Sequence, residues 1–311
     1  MARRHRDERG FALVAVLLVL GILGVIGAEF AYSMRLEAAA TRGYKETIIA
    51  THLAEAAVEA ALREIAADFT YVAVADDALI TFHRADRTPL PRLPREKVQL
   101  GGGQYSYRVT DEEARLNVNT SPPDRLDRLL QGLDLTKSQR DTIVDSVQDW
   151  RDANEEHRLN GAESDDTYLK LPVPYRARNG NLESVTELLQ IKGVTVAIFE
   201  GAEGRPGLAG LLTVRGAGSV NLNTAEPVVL KALGLSDAEI TEIEQARRST
   251  PYTIVPGRFA GRGLAVTTRT FRVEAEGLIG GRVAARLTAT AQKRVEANAP
   301  AIVILEWSGA H

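Results

Sequence analysis

From Phe11 to Ala28 the chain reads FALVAVLLVLGILGVIGA, without a charged residue. As a helix this run rises about 27 Å, close to the thickness of a bilayer's hydrocarbon core. A helix pairs its backbone groups within itself, as lipid requires. No other feature narrows the fold so far: the chain has to begin as a helix that is apolar on every side. Ahead of it lies MARRHRDERG, where Arg3, Arg4, Arg6 and Arg9 stand against Asp7 and Glu8. A basic flank of this kind stays cytoplasmic and sends the remainder across the membrane.

A secretory signal peptide would have a shorter apolar core, then a small-x-small cleavage site. Here an amphipathic pattern continues through Glu29, Phe30, Tyr32, Met34 and Leu36 to about Ala67, and no Pro interrupts residues 11 to 67. The helix therefore leaves the membrane intact and carries on, which a removable signal would not do. Gly21, Gly24 and Gly27 suit a membrane helix that packs closely or bends.

A short basic leader ending in Gly10, then Phe11 and an unbroken apolar helix, resembles the type IV prepilin signal. The resemblance implies that a prepilin peptidase cuts between Gly10 and Phe11 and that the new amino terminus at Phe11 is methylated. It also implies Glu at the fifth mature position, yet Ala15 stands there. In such filaments that Glu offsets the terminal amine of a neighbour within lipid, where an unpaired charge is expensive. A subunit lacking it is poorly suited to joining beneath another and can still stand first. Among type II secretion pseudopilins this absence resembles the minor pseudopilin K, the tip subunit.

Length and composition are those of a globular protein behind an anchor. The 311 residues leave room for two soluble units. The net charge of -3 gives no general attraction to nucleic acid or anionic lipid, and with no cysteine there is neither disulfide nor thiol chemistry. Leu53, Ala56, Ala57, Ala60 and Ala61 keep a narrow small-residue stripe at helical spacing. Leu79 to Phe82 has strand character. Val98 and Leu100, the Gly101-Gly102-Gly103 turn, and alternating Tyr105, Tyr107 and Val109 predict a hairpin.

At Asp111 the character becomes helical. Leu116-Asn117-Val118-Asn119-Thr120-Ser121-Pro122-Pro123 is echoed by Val220-Asn221-Leu222-Asn223-Thr224-Ala225-Glu226-Pro227. In each, Thr followed by Pro predicts a helix start. A Leu-rich helix, a short turn and a second helix follow, so two related helix-turn-helix units are expected, with other helices between them. After Thr250 strands return: Phe271, Val273 and Ala275 alternate, Gly280-Gly281 turns, and Val283, Ala285, Leu287 and Ala289 alternate back. Residues 301 to 307 predict a further strand.

Between Asp149 and Tyr175 lies an acidic loop, DWRDANEEHRLNGAESDDTYLKLPVPY. Hard cations such as calcium take several oxygen ligands from loops of this kind. Counting from Asp152, Asn154 is third, Glu156 fifth and Glu163 twelfth, a partial match to the helix-loop-helix calcium loop. His157 occupies the sixth place, where that loop needs Gly, so the motif fails strictly. A solvated acidic loop is the other reading.

Asp149, Trp150 and Asp152, then Gly161-Ala162-Glu163, Asp165, Tyr168, Pro174-Tyr175, Asn179-Gly180 and Glu187-Leu188 through Gly193-Val194, resemble the large helical insertion of pseudopilin K. That resemblance covers essentially the whole chain and implies structural calcium in this loop. Carried onto these residues, the ligands are Asp149, Asp152, Glu163, Asp165 and Asp166, with backbone carbonyls. The expected fold is α+β: a pilin-like long N-terminal helix packed on an antiparallel sheet, with a large all-α domain inserted between strands. The expected units are a leader over 1–10, the transmembrane and amphipathic helix over 11–68, the pilin domain over 69–110, the helical insertion over 111–260 and returning strands over 261–311. The implied partners are I-like and J-like minor pseudopilins, prepilin peptidase and inner-membrane lipid.

Two other classes compete. Leu189-Gln190-Ile191-Lys192-Gly193-Val194-Thr195 resembles a helix-hairpin-helix turn, so a membrane-anchored DNA-binding protein of competence type is the alternative. Thr195 replaces the turn's second Gly, and acidic rather than basic residues surround it. No nucleic-acid partner is therefore expected. For an enzyme, the five His residues (5, 52, 83, 157 and 311) form no metalloprotease motif, and no G-x-S-x-G occurs. No catalysis is expected.

Overall fold

The computed structural model describes residues 8–75, 77–202, 204–296 and 299–309. The first seven residues of the expected leader lie outside this set. Helix α1 (Glu8–Ile65) is unbroken. Its membrane half, where the most apolar window reaches a mean hydropathy of 2.9, is not buried against the chain at all. The outer half differs. Ala50, Ala54, Ala57 and Ala61 recur at helical spacing and are fully buried against a sheet.

That sheet consists of β3 (Val98–Leu100), β4 (Gly103–Asp111), β5 (Thr270–Ile279), β6 (Arg282–Glu296) and β7 (Ala299–Ser308), in the spatial order β7-β6-β5-β4-β3. Every pairing is antiparallel. A separate small hairpin, β1 (Tyr71–Val74) with β2 (Ile80–His83), follows α1. Alternation explains the register: Phe271, Val273 and Ala275 on β5 and Ala285, Leu287, Ala289 and Ala291 on β6 form one buried face under α1. Phe69, Phe82 and Phe271 close the end of this core, with ring centroids 4.5 to 5.8 Å apart. Within it Glu64 is buried on α1. It accepts from Arg95 Nε at 2.9 Å, Tyr107 Oη at 3.1 Å and Leu93 N at 2.8 Å, so the charge is both paired and hydrogen-bonded.

The chain leaves the sheet at Asp111 and re-enters at Thr270 on the neighbouring strand, where Phe271 sits opposite Asp111. What lies between has its own core. Its two helical hairpins are α2 (Pro123–Gly132) with α3 (Lys137–Arg151), and α4 (Pro227–Ala232) with α5 (Asp237–Ser249). The repeat seen in the sequence is a repeat of bonding roles. Asn119 brackets the backbone of Leu182, donating to its O and accepting from its N; Asn223 does the same to Tyr252. Arg151 donates to Val118 O and Asn119 O, and Arg247 to Leu222 O and Ala225 O.

The predicted helix starts hold: Pro123 and Pro227 open α2 and α4, with Pro122 and Glu226 at the N-cap positions and no side-chain cap bond. The Asn residues ahead of them already fix the entry, because Asn117 Oδ1 accepts from Asn119 N and Asn221 Oδ1 from Asn223 N. The side-chain caps are on the second helices instead, where Thr136 and Ser236 form capping boxes with Gln139 and Glu239. The helices expected between the units are mostly short 3-10 turns, over Tyr168–Lys170 and Val185–Gln190, with one-turn helices at Val196–Glu200 and Leu208–Leu211. Leu264–Ala265 still pairs with Val220–Asn221 inside this block.

The joint between sheet and block is ionic and buried. Asp111 accepts from Thr224 Oγ1 at 2.5 Å, Thr268 Oγ1 and Asn221 Nδ2 at 2.7 Å, and Glu113 N at 2.8 Å. Its burial pushes the carboxyl above the ordinary carboxylate range, and the four donors oppose that. Next to it, Glu112 accepts from Thr213 Oγ1 and Arg272 Nη2, both at 2.8 Å, and from Arg115.

Candidate functional site

Two features concentrate function: the bare half of α1, and the loop that leaves α3. On α1 the helix passes through Gly10 and Phe11 without interruption, and Phe11 is exposed. Ala15 lies one turn further along the same helix. Among the described residues nothing covers this segment, so its apolar side chains need lipid or other helices around them.

The loop is organised by Asp149, whose side chain is fully buried at the end of α3. Its carboxylate accepts from Arg158 N at 3.1 and 3.2 Å, from Arg158 Nη1 at 2.6 Å and from Ala162 N at 2.9 Å. The same guanidinium group holds Asp152 at 2.6 Å. Gly161 is required here, since a Cβ at that position would fall 1.8 Å from Asp149 Oδ2. Trp150, Tyr168 and Tyr175 support the loop from inside, with Trp150 edge-on to both Tyr rings.

Glu163 is the outlier. It is 1% exposed, and neither carboxylate oxygen has a hydrogen-bond partner. Burial, then the charges of Asp149, Glu155 and Asp152, push its pKa up to about 7. Nearby, Asn179 Oδ1 is also buried without a partner, while its amide donates to Glu155 Oε1 at 3.0 Å. Three orphaned acceptors in one loop, with no donor supplied, are what a bound cation would satisfy.

The five candidate ligands thus separate into different roles. Asp149 is saturated by the chain's own donors. Asp152 is shared between Arg158 and Asn154. Asp166 Oδ1 accepts from Glu163 N at 3.0 Å, and Asp165 points outward toward Arg176 at 4.0 Å. Among the described residues no three His, Cys, Asp or Glu side chains converge at metal-holding distance. Reading the sequence missed the unpartnered Asn179 Oδ1 and Arg158 as the clamp; an Arg within a run of carboxylates was the available signal for the second.

The hairpin-like turn at Leu189–Thr195 buries Ile191 and Val194 and leaves Lys192, Gly193 and Thr195 exposed. Gly193 has φ +91° and lies against Thr142 and Ile143 of α3, 3.0 to 3.1 Å from where a Cβ would stand. Ile191 is buried and Thr195 caps the next short helix.

A bare membrane-length helix, the sheet its outer half is fastened to and an inserted helical block define a membrane-anchored, pilin-like subunit with a soluble C-terminal part. Residues 104–203 match the family model described as type II secretion system (T2SS), protein K. The type II secretion system protein K of Pectobacterium carotovorum is 30% identical over 121 residues, 34% of this chain and 37% of that protein. The putative type II secretion system protein K of Escherichia coli K12 is 24% identical over 63% of this chain and 61% of its own length. The protein K of Pseudomonas aeruginosa is 26% identical over 89% of this chain and 87% of its own length. In fold, a chain of the GspK-GspI-GspJ complex from enterotoxigenic E. coli aligns at a TM-score of 0.63 with 17% identity, covering 88% of this chain and 99% of that one. Over these spans the chain is similar to proteins of the type II secretion system protein K family.

Proposed function

We propose that this chain is a minor pseudopilin that stands at the tip of the type II secretion pseudopilus and initiates and caps its assembly for protein export across the outer membrane. It sits in the bacterial inner membrane with a cytoplasmic N-terminus and a periplasmic bulk. Its work is mechanical, and it catalyses no step itself. The observation that carries this reading is Ala15 on a helix that nothing among the described residues covers. An incoming subunit without an acid there cannot neutralise the amine of one already in place. The inserted block, fixed beside the sheet, then obstructs further addition above. I-like and J-like pseudopilins are the partners, consistent with the complex in which the fold's relative was solved.

Prepilin peptidase cuts after Gly10 and Phe11 becomes the methylated terminus. Gly10→Asp should leave the precursor uncut and abolish secretion, read by intact mass and by the exported protein in the medium. Normal processing and secretion in that variant would remove the cleavage assignment.

Structural calcium belongs to the same reading. The orphaned, buried oxygens of Glu163 support it, with Asn179 Oδ1 and Asp152 as neighbouring donors. A bound cation would supply the positive charge that this carboxylate lacks, letting a long loop hold one shape. Calcium at about 100 times its Kd should stabilise the chain by about 2.7 kcal/mol. A thermal melt in detergent should show the gain, chelator should reverse it, and Glu163→Gln should lose it. A melting temperature indifferent to calcium in the unmodified chain would refute the site.

A further inference from the structure

Two carboxylates meet at the end of α3, where a helix is least able to hold them. Asp149 lies in its last turn and Asp152 is the C-cap, so both add to the negative pole of the helix. Asp149 has a fully buried side chain, and a buried charge requires a partner. A single nitrogen serves both. Arg158 Nη1 is 2.6 Å from Asp149 Oδ1 and 2.6 Å from Asp152 Oδ2. Calcium stands about 2.3–2.6 Å from its oxygens. One corner of the guanidinium therefore occupies the point at which a cation would bridge this pair.

The loop builds this contact in. Arg158 N also donates to both oxygens of Asp149, and Ala162 N to Oδ2, so main chain and side chain of Arg158 grip one carboxylate. The Arg158 side chain is 42% exposed and closes the pair from the solvent side. Its single positive charge balances one Asp of the two. Glu163 follows directly after Ala162, and both of its buried oxygens lack a donor. The loop thus carries two demands for positive charge. The chain meets the first itself and leaves the second open.

We propose that Arg158 is a built-in cation plugging a divalent-ion site formed by Asp149 and Asp152. This half of the loop then closes without metal, and only the Glu163 half takes calcium. Removing the guanidinium leaves two converging carboxylate oxygens at a mouth open to solvent, where waters complete the coordination. The inference rests on the calcium reading for Glu163 alone, and the variants below separate the two.

Terbium(III) takes the oxygen ligands of calcium and luminesces when a neighbouring Trp is excited; Trp150 directly follows Asp149. Full-length chain in detergent is titrated with terbium, and separate samples are melted in calcium and in chelator. Arg158→Gln should need about one equivalent more than the parent to reach its plateau. It should melt below the parent in chelator and recover in calcium. Arg158→Lys keeps the charge and should titrate as the parent does. No added equivalent in Arg158→Gln overturns the plug. So does an Arg158→Gln chain that is as unfolded in calcium as in chelator, and so does an equal gain in Arg158→Lys. Adding Glu163→Gln to Arg158→Gln should remove one equivalent and keep the other. If Glu163→Gln alone titrates as the parent, the calcium assignment at Glu163 fails, and the plug still stands or falls on Arg158→Gln.

Discussion

Replacing Asp149 by Ala should collapse the acidic loop whether or not calcium is present. The carboxylate gathers both the backbone N–H and the guanidinium of Arg158, and it accepts from the N–H of the buried Ala162. Ala offers none of these bonds, so a buried donor and a partly buried cation lose their partner together. A fully buried pair would cost about 3–5 kcal/mol to break; here Asp149 is buried and Arg158 half exposed, so solvent reduces the loss below that range. The measurement is limited proteolysis across residues 152–166 together with a thermal melt, each in calcium and in chelator. Early cleavage in both conditions is the expected result. Glu163→Gln makes the contrast: its carboxylate has no donor to lose, so the variant should lose stability only in calcium, and in chelator it relieves a buried unpaired charge. If Asp149→Ala melted like the parent in chelator, Asp149 would be a ligand and not the organiser described above.

The second large effect is expected at Gly277, near the C-terminal end of β5. A Cβ there would lie 1.9 Å from the carbonyl oxygen of Ala50 and 2.7 Å from its carbon, both main-chain atoms of α1. Main chain cannot rotate aside as a side chain can, so even Gly277→Ala has to lift the helix from the sheet or bend the strand. Overpacking in a tight core costs about 1–3 kcal/mol, and a clash with backbone belongs at or above the top of that range. Substitution by Val should be worse than by Ala. The loss should be visible as a lowered melting temperature and as exposure of the Ala50–Ala61 face to a cysteine-directed label placed at Ala54. A fully stable Gly277→Val would mean that the helix does not rest on this strand.

Much of this architecture can be read from residue pattern. The uncharged run fixes α1, and strict alternation marks β5 and β6. The paired Asn-x-Asn motifs announce two units that use Asn119 and Asn223 identically. What could not be read is held by non-local bonds. Residues 152–195 have no sustained period because 3-10 turns and side chain-to-backbone bonds shape them, and their organiser, Asp149, belongs to the preceding helix. Gly277 reads in sequence as a weak spot in a strand, whereas the structure makes it the point of closest approach. The Thr-Pro pairs did mark the starts of α2 and α4, and the Asn-x-Asn turns just ahead of them fix the chain's entry. For the loop site, the count of carboxylates pointed to the right segment and could not tell the saturated Asp149 from the unpartnered Glu163.

The joint at Asp111 and Glu112 has a mechanical consequence. The inserted block departs from and returns to adjacent strands, Asp111 facing Phe271, and both of its attachment points are locked by buried bonds to Thr213, Thr224, Thr268 and Arg272. Such a mount has no swivel. Torsion or thrust delivered along the stem arrives at the head undiminished, as it does at a bit clamped in a chuck.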